Sequence, residues 1–248
     1  MLLICLIITK SLHMHKGRQV KFFRKRSYRM NPEITTTEQE QGPKPSVFKF
    51  IFSPGAEFDK MKQRPAIVVS LILVILLSAV AFALSAITPE SLASLQELGL
   101  KPDDSMKLFS MIGAGIGALI VTPIAMLIGA GILLLIVKIG KGTAKYKHMF
   151  SLTAFITFIT MLGLLLNTVI AVVAGTGTNI TSLNGLVGAE GAVGGVLASI
   201  EIFSIWSLIL TAMGLQKVGG LSKKAAIIIA SVFFVLSVIS QIIGSVMA

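Results

Sequence analysis

The strongest constraint on the fold is an apolar run followed by a short basic turn that reverses the chain. Within residues 194–226, an apolar segment leads into a turn that carries three lysines, and a second apolar segment follows directly. The turn is too short to form a domain and too charged to cross lipid. The chain must therefore turn back at a membrane surface, which indicates a polytopic membrane protein.

Composition supports this class of protein. Hydrophobic residues make up 54% and charged residues 13% of the 248 residues, whereas soluble domains carry about 25% charged residues. The net charge is +11, but eight basic residues and no acid lie in residues 1–30, so the remainder carries only +3. This distribution does not predict a nucleic-acid-binding surface, and the single cysteine, Cys5, excludes an internal disulfide.

The first 45 residues are predicted to lie outside the membrane domain. The initial apolar stretch of nine residues is shorter than the roughly 20 residues that a membrane span needs. We expect translation to begin at Met30, with residues 1–29 non-native; the alternative is a polybasic segment attracted to anionic lipid. Residues 31–45 have the composition of a disordered tail. Residues 46–65 form a cytoplasmic juxtamembrane segment, either lying on the membrane surface or serving as a simple connector.

Residues 66–248 are predicted to form an all-α bundle of five membrane-spanning helices. The apolar runs are 66–86, 108–137, 150–174, 193–215 and 225–247. The second run contains Pro123 and several glycines, and one kinked helix is expected because packed neighbours tolerate these residues in a membrane.

Orientation follows from the basic residues of the short loops. One side of the bundle receives ten of them and the other side receives two. Since lysine and arginine concentrate in cytoplasmic loops, the N-terminus is predicted to be cytoplasmic and the C-terminus outside. Loops 138–149 and 216–224 are then inside, and loops 87–107 and 175–192 are outside.

Small residues recur in the second apolar run at the spacing that lets membrane helices approach closely. They are Gly113, Gly117, Ala125 and Gly129. We interpret them as a packing face within the monomer; the alternative is a seam between copies of the chain, that is, a homo-oligomer.

Polar residues inside the apolar runs are costly and are often functional. At about 1.5 Å per residue, Asn167, Glu201 and Gln241 fall at similar depths in the third, fourth and fifth runs. We predict one polar layer that joins three helices, and a substrate site is the alternative for Glu201.

The sequence has no recognisable catalytic machinery. It lacks a HExxH motif, and its glycine-rich segment GAEGAVGG lacks the Lys-Ser/Thr ending of a phosphate-binding loop. No pair of intramembrane acids is available to hold a metal. We therefore expect a protein that is not an enzyme and that uses no cofactor or metal.

The segment EIFSIWSLILTAMGL, the basic turn VGGLSKKAA and the final apolar run resemble the C-terminal signature of the Yip-domain family. The segment FIFSPGAEFDKMKQRP before the first span and the basic turn KIGKGTAKYKH are also similar to this family, so the likeness covers residues 46–248. Its most specific positions are Phe203, Trp206, Gly214, Leu221, Ser222, Lys223 and Ala225. The acidic position of the signature usually reads Asp, and Glu201 departs from it conservatively.

This resemblance implies a five-helix integral membrane protein with a cytoplasmic N-terminus. Eukaryotic members bind Rab GTPases at Golgi membranes, and some bacterial members are associated with ABC-type exporters. The short tail and compact loops favour a bacterial cell membrane, and a Golgi-type membrane is the alternative if the protein is eukaryotic. The expected partners are membrane lipid and another membrane protein. The expected function is a scaffold or accessory protein that assists assembly of another membrane complex, an ABC-type exporter being the leading candidate. The alternative is a small-solute or ion transporter that uses Glu201.

Overall fold

The computed structural model describes residues 42–247, and this part of the chain is helical apart from turns and one isolated bridge between Ser182 and Glu201. The helices in order are α1 (Val47–Phe52), α2 (Pro54–Gln63), α3 (Val68–Ser85), α4 (Pro89–Glu97), α5 (Asp104–Ile139), α6 (Tyr146–Ala174), α7 (Leu183–Val187), α8 (Gly191–Ser199), α9 (Ile202–Lys217) and α10 (Lys223–Met247). The predicted all-α fold is confirmed. The basic leader, the start at Met30 and the tail up to residue 41 lie outside the described residues.

Four helices, α3, α5, α6 and α10, are long and apolar enough to cross a membrane. As predicted, α5 is one continuous helix that contains Pro123. It begins where the Asp103 carboxylate accepts a hydrogen bond from Met106 N at 2.8 Å, which caps the exposed N–H groups of the first turn. With 36 residues, α5 is about 54 Å long and therefore extends beyond a hydrocarbon core of about 30 Å.

The fourth apolar run is not the continuous helix that was predicted for residues 193–215. The chain leaves helical geometry at Ile200 and Glu201, whose φ/ψ angles are −85°/76° and −122°/143°, and α9 starts at the next residue. The break is stabilised by the loop before it, because Leu183 N donates to Ile200 O at 3.0 Å. Apolar composition continues through the break, so hydropathy alone does not reveal it.

The juxtamembrane segment 46–65 contributes side chains to the core of the bundle, although Phe48 and Phe52 in the same segment are exposed. The Phe50 ring meets the Phe58 and Phe155 rings edge-on, with centroids 5.0 and 5.1 Å apart, and all three side chains are fully buried. Edge-to-face contacts of this kind stabilise beyond the burial of apolar area. Glu57 is also buried and accepts hydrogen bonds from Ser46 N and from Lys60, both at 2.6 Å.

The two predicted basic turns pack against each other. A methyl group placed on Gly142 would lie 2.5 Å from the carbonyl oxygen of Gly219, so only glycine permits this approach of the two backbones. Beside the contact, Lys141 has a φ of 61°, the left-handed region that side chains other than those of Gly, Asn and Asp rarely adopt.

The second of these turns is also tied to the juxtamembrane segment. The Lys217 ammonium group donates to Gly55 O at 3.1 Å and pairs with the Asp59 carboxylate at 2.9 Å. Three stretches that are distant in sequence therefore form one surface. We call this surface, made of residues 46–65, 138–149 and 216–224, the basic end.

The residues of the predicted packing face of α5 do not all lie against a neighbouring helix. A methyl group on Gly113 or Gly117 would meet no atom within 4 Å among the described residues, while one on Gly129 would make an ordinary 3.6 Å contact with Thr153. Gly117 and Ala125 instead line an open cavity of about 400 Å³ whose walls are mostly apolar. The interpretation as packing within the monomer is therefore wrong for Gly113 and Gly117.

Helices α3 and α5 meet at other residues. A methyl group on Gly115 would lie 3.5 Å from the carbonyl oxygen of Ala79. Deeper in the pair, the Thr122 hydroxyl donates to the Ser78 hydroxyl at 3.0 Å, and both side chains are buried. The small-residue spacing thus predicts that α5 has approachable faces, but it does not determine which face is used.

Candidate functional site: the Glu201 cluster

Glu201 lies at the break between α8 and α9 and caps α9. Its Oε2 atom accepts a hydrogen bond from Ser204 N at 2.7 Å. A carboxylate in this position satisfies a backbone donor that has no partner in the helix, and it interacts favourably with the positive end of the helix dipole. The break therefore gives the acid a structural role that a continuous helix would not.

The other carboxylate oxygen faces the preceding loop. Thr181 Oγ1 lies 2.7 Å from Glu201 Oε1 and 2.9 Å from Asn167 Oδ1, and Thr181 N donates to the same Asn167 oxygen at 3.1 Å. Asn167 is buried on α6. These three residues, Asn167, Thr181 and Glu201, form the Glu201 cluster, which connects α6, the loop and α9.

Of the residues of the predicted polar layer, Asn167 and Glu201 are brought together through Thr181, and Gln241 does not join them. The Gln241 side chain is exposed on α10 and has no hydrogen bond within residues 42–247. Its backbone instead packs on α8, where a methyl group on Gly195 would lie 2.8 Å from the Gln241 carbonyl oxygen. Depth along a helix was the basis of the prediction, and depth does not fix the direction in which a side chain points.

Sequence reasoning missed Thr181 because it lies in a loop, outside the apolar runs. It also missed a second carboxylate on this loop: Glu90, in α4, accepts hydrogen bonds from Thr178 N at 3.1 Å and from Thr178 Oγ1 at 2.7 Å. The only signal was the threonine-rich composition of TGTNITS, which suits carboxylate partners but does not name them. The two bonds hold loop 87–107 against loop 175–192.

Three of the predicted family-signature residues make close contacts with other helices or turns. A methyl group on Gly163 of α6 would lie 2.6 Å from the Phe203 ring, and one on Gly140 would lie 2.6 Å from Leu221. At Gly214 an added methyl group would overlap the Leu152 side chain. These contacts fasten α9 and the following turn to the rest of the bundle, so this part of the signature describes packing.

The remaining signature residues lie around the same turn and helix. Trp206 and Ala225 are half-buried against the core, and the Ser222 hydroxyl accepts a hydrogen bond from Ala225 N at 3.3 Å at the start of α10. Lys223 is exposed. Within residues 42–247, His, Cys, Asp and Glu side chains do not come together in groups of three or more that could hold a metal ion.

Several helices long and apolar enough to span a membrane indicate a polytopic helical membrane protein. Within it, the half-buried Glu201 caps α9. The model of the Yip1 domain family matches residues 48–244. The chain belongs to this family, and the resemblance seen in the sequence is confirmed.

A curated relative supports a bacterial membrane setting. The chain is 37% identical over 226 residues to Membrane protein YknW of Bacillus subtilis (strain 168), and this similarity covers 86% of the chain and 98% of the relative. The chain is therefore an integral membrane protein, consistent with a bacterial cell membrane. No solved structure matches it.

Proposed function

We propose that this protein is a non-enzymatic membrane scaffold that binds another membrane complex and assists its assembly, with an ABC-type exporter as the leading candidate. The observation that carries the proposal is the basic end, a packed surface with an excess of positive charge. Six exposed lysines of its two turns form no ion pair within residues 42–247: Lys138, Lys141, Lys145, Lys147, Lys223 and Lys224.

The acids of the basic end do not compensate these lysines. Glu57 is paired with Lys60 and Asp59 with Lys217, so the six lysines remain available to a partner. Complementary charge across an interface gives specificity and faster association more than raw affinity. An acidic cytoplasmic segment of a partner complex is the partner that fits this surface.

The proposal includes a topology of five spans with a cytoplasmic N-terminus. Besides the four long helices, α8 and α9 together supply the remaining span, which is the fourth in chain order, because α9 with 16 residues is only about 24 Å long. The contacts within the molecule support this arrangement. Glu90 and Thr178 join the two loops that are predicted to be outside, and the Gly142–Gly219 contact joins the two turns that are predicted to be inside.

The experiment is a reversal of charge at one end of the molecule with a matched reversal at the other. The double variant Lys141→Glu/Lys145→Glu changes the basic end, and Lys101→Glu/Lys107→Glu is the control at the opposite end. After mild crosslinking in membranes, the wild type and the control are expected to recover stoichiometric membrane partners, whereas the basic-end variant loses most of them. Deletion of the gene is expected to reduce assembly of the same partners. Equal recovery by all three forms would contradict the proposal.

The transporter alternative receives less support from the Glu201 geometry. Both carboxylate oxygens are engaged, one by the backbone of α9 and one by Thr181. Binding of an ion by Glu201 would therefore require one of these hydrogen bonds to break. Purified protein that moves a solute across liposomes alone, and loses this activity in Glu201→Gln, would establish the alternative.

A further inference from the structure

Gln241 is a polar side chain without a partner on a membrane-length helix. It is exposed, and it lies 18 residues after Lys223, the first residue of α10, which is about 27 Å along the helix. An amide that faces hydrocarbon without a hydrogen bond is costly. A partner for this amide is therefore expected from outside the described part of the chain.

Hydroxyl groups line a groove that reaches Ser237, which lies one helical turn before Gln241 on α10. Ser204, Ser207 and Thr211 follow one face of α9 at a spacing of three and four residues and form the floor of a cavity of about 190 Å³. Thr160 of α6 borders it on one side, and Ser237 of α10 borders it on the other. The remaining lining residues, Leu208, Ala230, Phe233 and Phe234, are apolar, so the groove combines apolar walls with hydroxyl groups.

The hydrogen bonds inside the groove determine what it recognises. Thr160 donates to Ile156 O at 3.2 Å, and the Thr160 and Ser207 hydroxyls share a 3.3 Å hydrogen bond in which either can be the donor. Thr211 and Ser237 donate to carbonyl oxygens of their own helices. These hydroxyls present acceptor lone pairs to a ligand.

The Ser204 hydroxyl differs from the others in the groove because it has no hydrogen bond within residues 42–247 and can donate. The groove therefore offers several acceptors and one free donor. A primary amide has two N–H donors and one carbonyl acceptor, which is the complementary set.

The chain itself carries such an amide in the right place. Phe234, Ser237 and Gln241 lie on one face of α10 at spacings of three and four residues, the repeat along which two helices interlock. Ala230, on the same face, is buried within its own chain. A two-fold axis along the membrane normal brings equal depths of two copies together. Gln241 is then one helical turn, about 6 Å, from the level of Ser237, within reach of a glutamine side chain.

We propose that a second copy of this chain docks its α10 on the groove, so that the Gln241 amide of each copy donates to Ser237 and accepts from Ser204 of the other. The contact is isologous and satisfies both exposed amides at once. It does not depend on the scaffold function, because it concerns only self-association.

The first experiment locates the contact. In a Cys5→Ser background, single cysteines Ser237→Cys and Ile239→Cys place thiols at nearly the same depth on opposite faces of α10; Ile239 is 46% exposed. Oxidation in membranes is expected to crosslink Ser237→Cys into dimers and to leave Ile239→Cys monomeric. Equal crosslinking at both positions, or none at Ser237→Cys, would overturn the proposal.

The second experiment tests the amide with the full chain in lipid bilayers, by energy transfer between labelled copies. Gln241→Leu is expected to weaken the dimer about 3- to 30-fold, the range for one polar contact between membrane helices. Gln241→Asn is expected to keep most of the dimer. Gln216→Leu removes another exposed glutamine, on α9 and outside the groove, and is expected to have no effect. If Gln241→Leu dimerises as the wild type does, the proposal is wrong.

Discussion

At the residue scale, the hydrogen bonds around Glu201 decide which substitutions the cluster accepts. The Thr181 hydroxyl has one proton, yet it lies within hydrogen-bond distance of two acceptor oxygens, one on Asn167 and one on Glu201. One further donor in the cluster would satisfy both contacts. An amide at position 201 supplies that donor and still leaves an oxygen to cap α9.

Glu201→Gln is therefore expected to retain the folded yield and thermal stability of the wild type. Glu201→Leu removes both the cap and the contact with Thr181 and is expected to cost about 1–3 kcal/mol of stability. The measurement is the thermal unfolding midpoint of purified protein in detergent. A Glu201→Leu protein as stable as Glu201→Gln would show that the cluster does not support the fold. A Glu201→Gln protein that is folded but inactive would instead favour ion handling.

The sequence was sufficient to find Asn167 and Glu201 because polar residues within apolar runs are rare and their depth can be counted. It was not sufficient for Thr181, whose position depends on the path of a loop. Gln241 was assigned wrongly since three helices at one depth can still point their side chains in different directions.

At the element scale, helix packing depends on a few glycines. The sequence spacing of small residues does not predict which side chains lie opposite these glycines. A methyl group added at Gly163 would lie 2.6 Å from the Phe203 ring, whereas one added at Gly117 would meet no atom within 4 Å. The spacing rule had selected Gly117 and passed over Gly163, because the rule reports small residues and not the side chain opposite them.

Gly163→Ala is expected to destabilise the bundle by about 1–3 kcal/mol, the usual range for overpacking a core. The matched variant Gly117→Ala meets no neighbour and is expected to be neutral or slightly stabilising, since alanine favours a helix over glycine. Thermal unfolding of the two purified variants in the same detergent compares them directly. Equal midpoints would mean that α6 and α9 do not pack as described.

Long, strongly apolar helices such as α3, α6 and α10 were predictable because length and composition alone mark them. The break at Ile200–Glu201 was not, because it depends on a capping carboxylate and on a hydrogen bond from Leu183 in the preceding loop. The burial of Phe50 and Phe58 was also missed, since a mixed apolar and basic segment is equally typical of a membrane surface.

At the scale of the whole molecule, the described contacts divide the loops into two groups. The lysine-rich turns lie together in the basic end. The two loops with few basic residues are joined to each other by the Glu90–Thr178 contact. The proposed function requires that these groups lie on opposite sides of the membrane. This requirement is met only if the interrupted pair α8 and α9 crosses the bilayer.

Labelling of single cysteines with an impermeant thiol reagent tests this crossing most directly. In a Cys5→Ser background, Asn179→Cys lies before the interrupted pair, Lys224→Cys lies after it, and Lys145→Cys marks the other basic turn; all three positions are exposed. In intact cells Asn179→Cys is expected to react, and Lys145→Cys and Lys224→Cys are expected to react only after the membrane is permeabilised. Labelling of Lys224→Cys from outside in intact cells would contradict the five-span account.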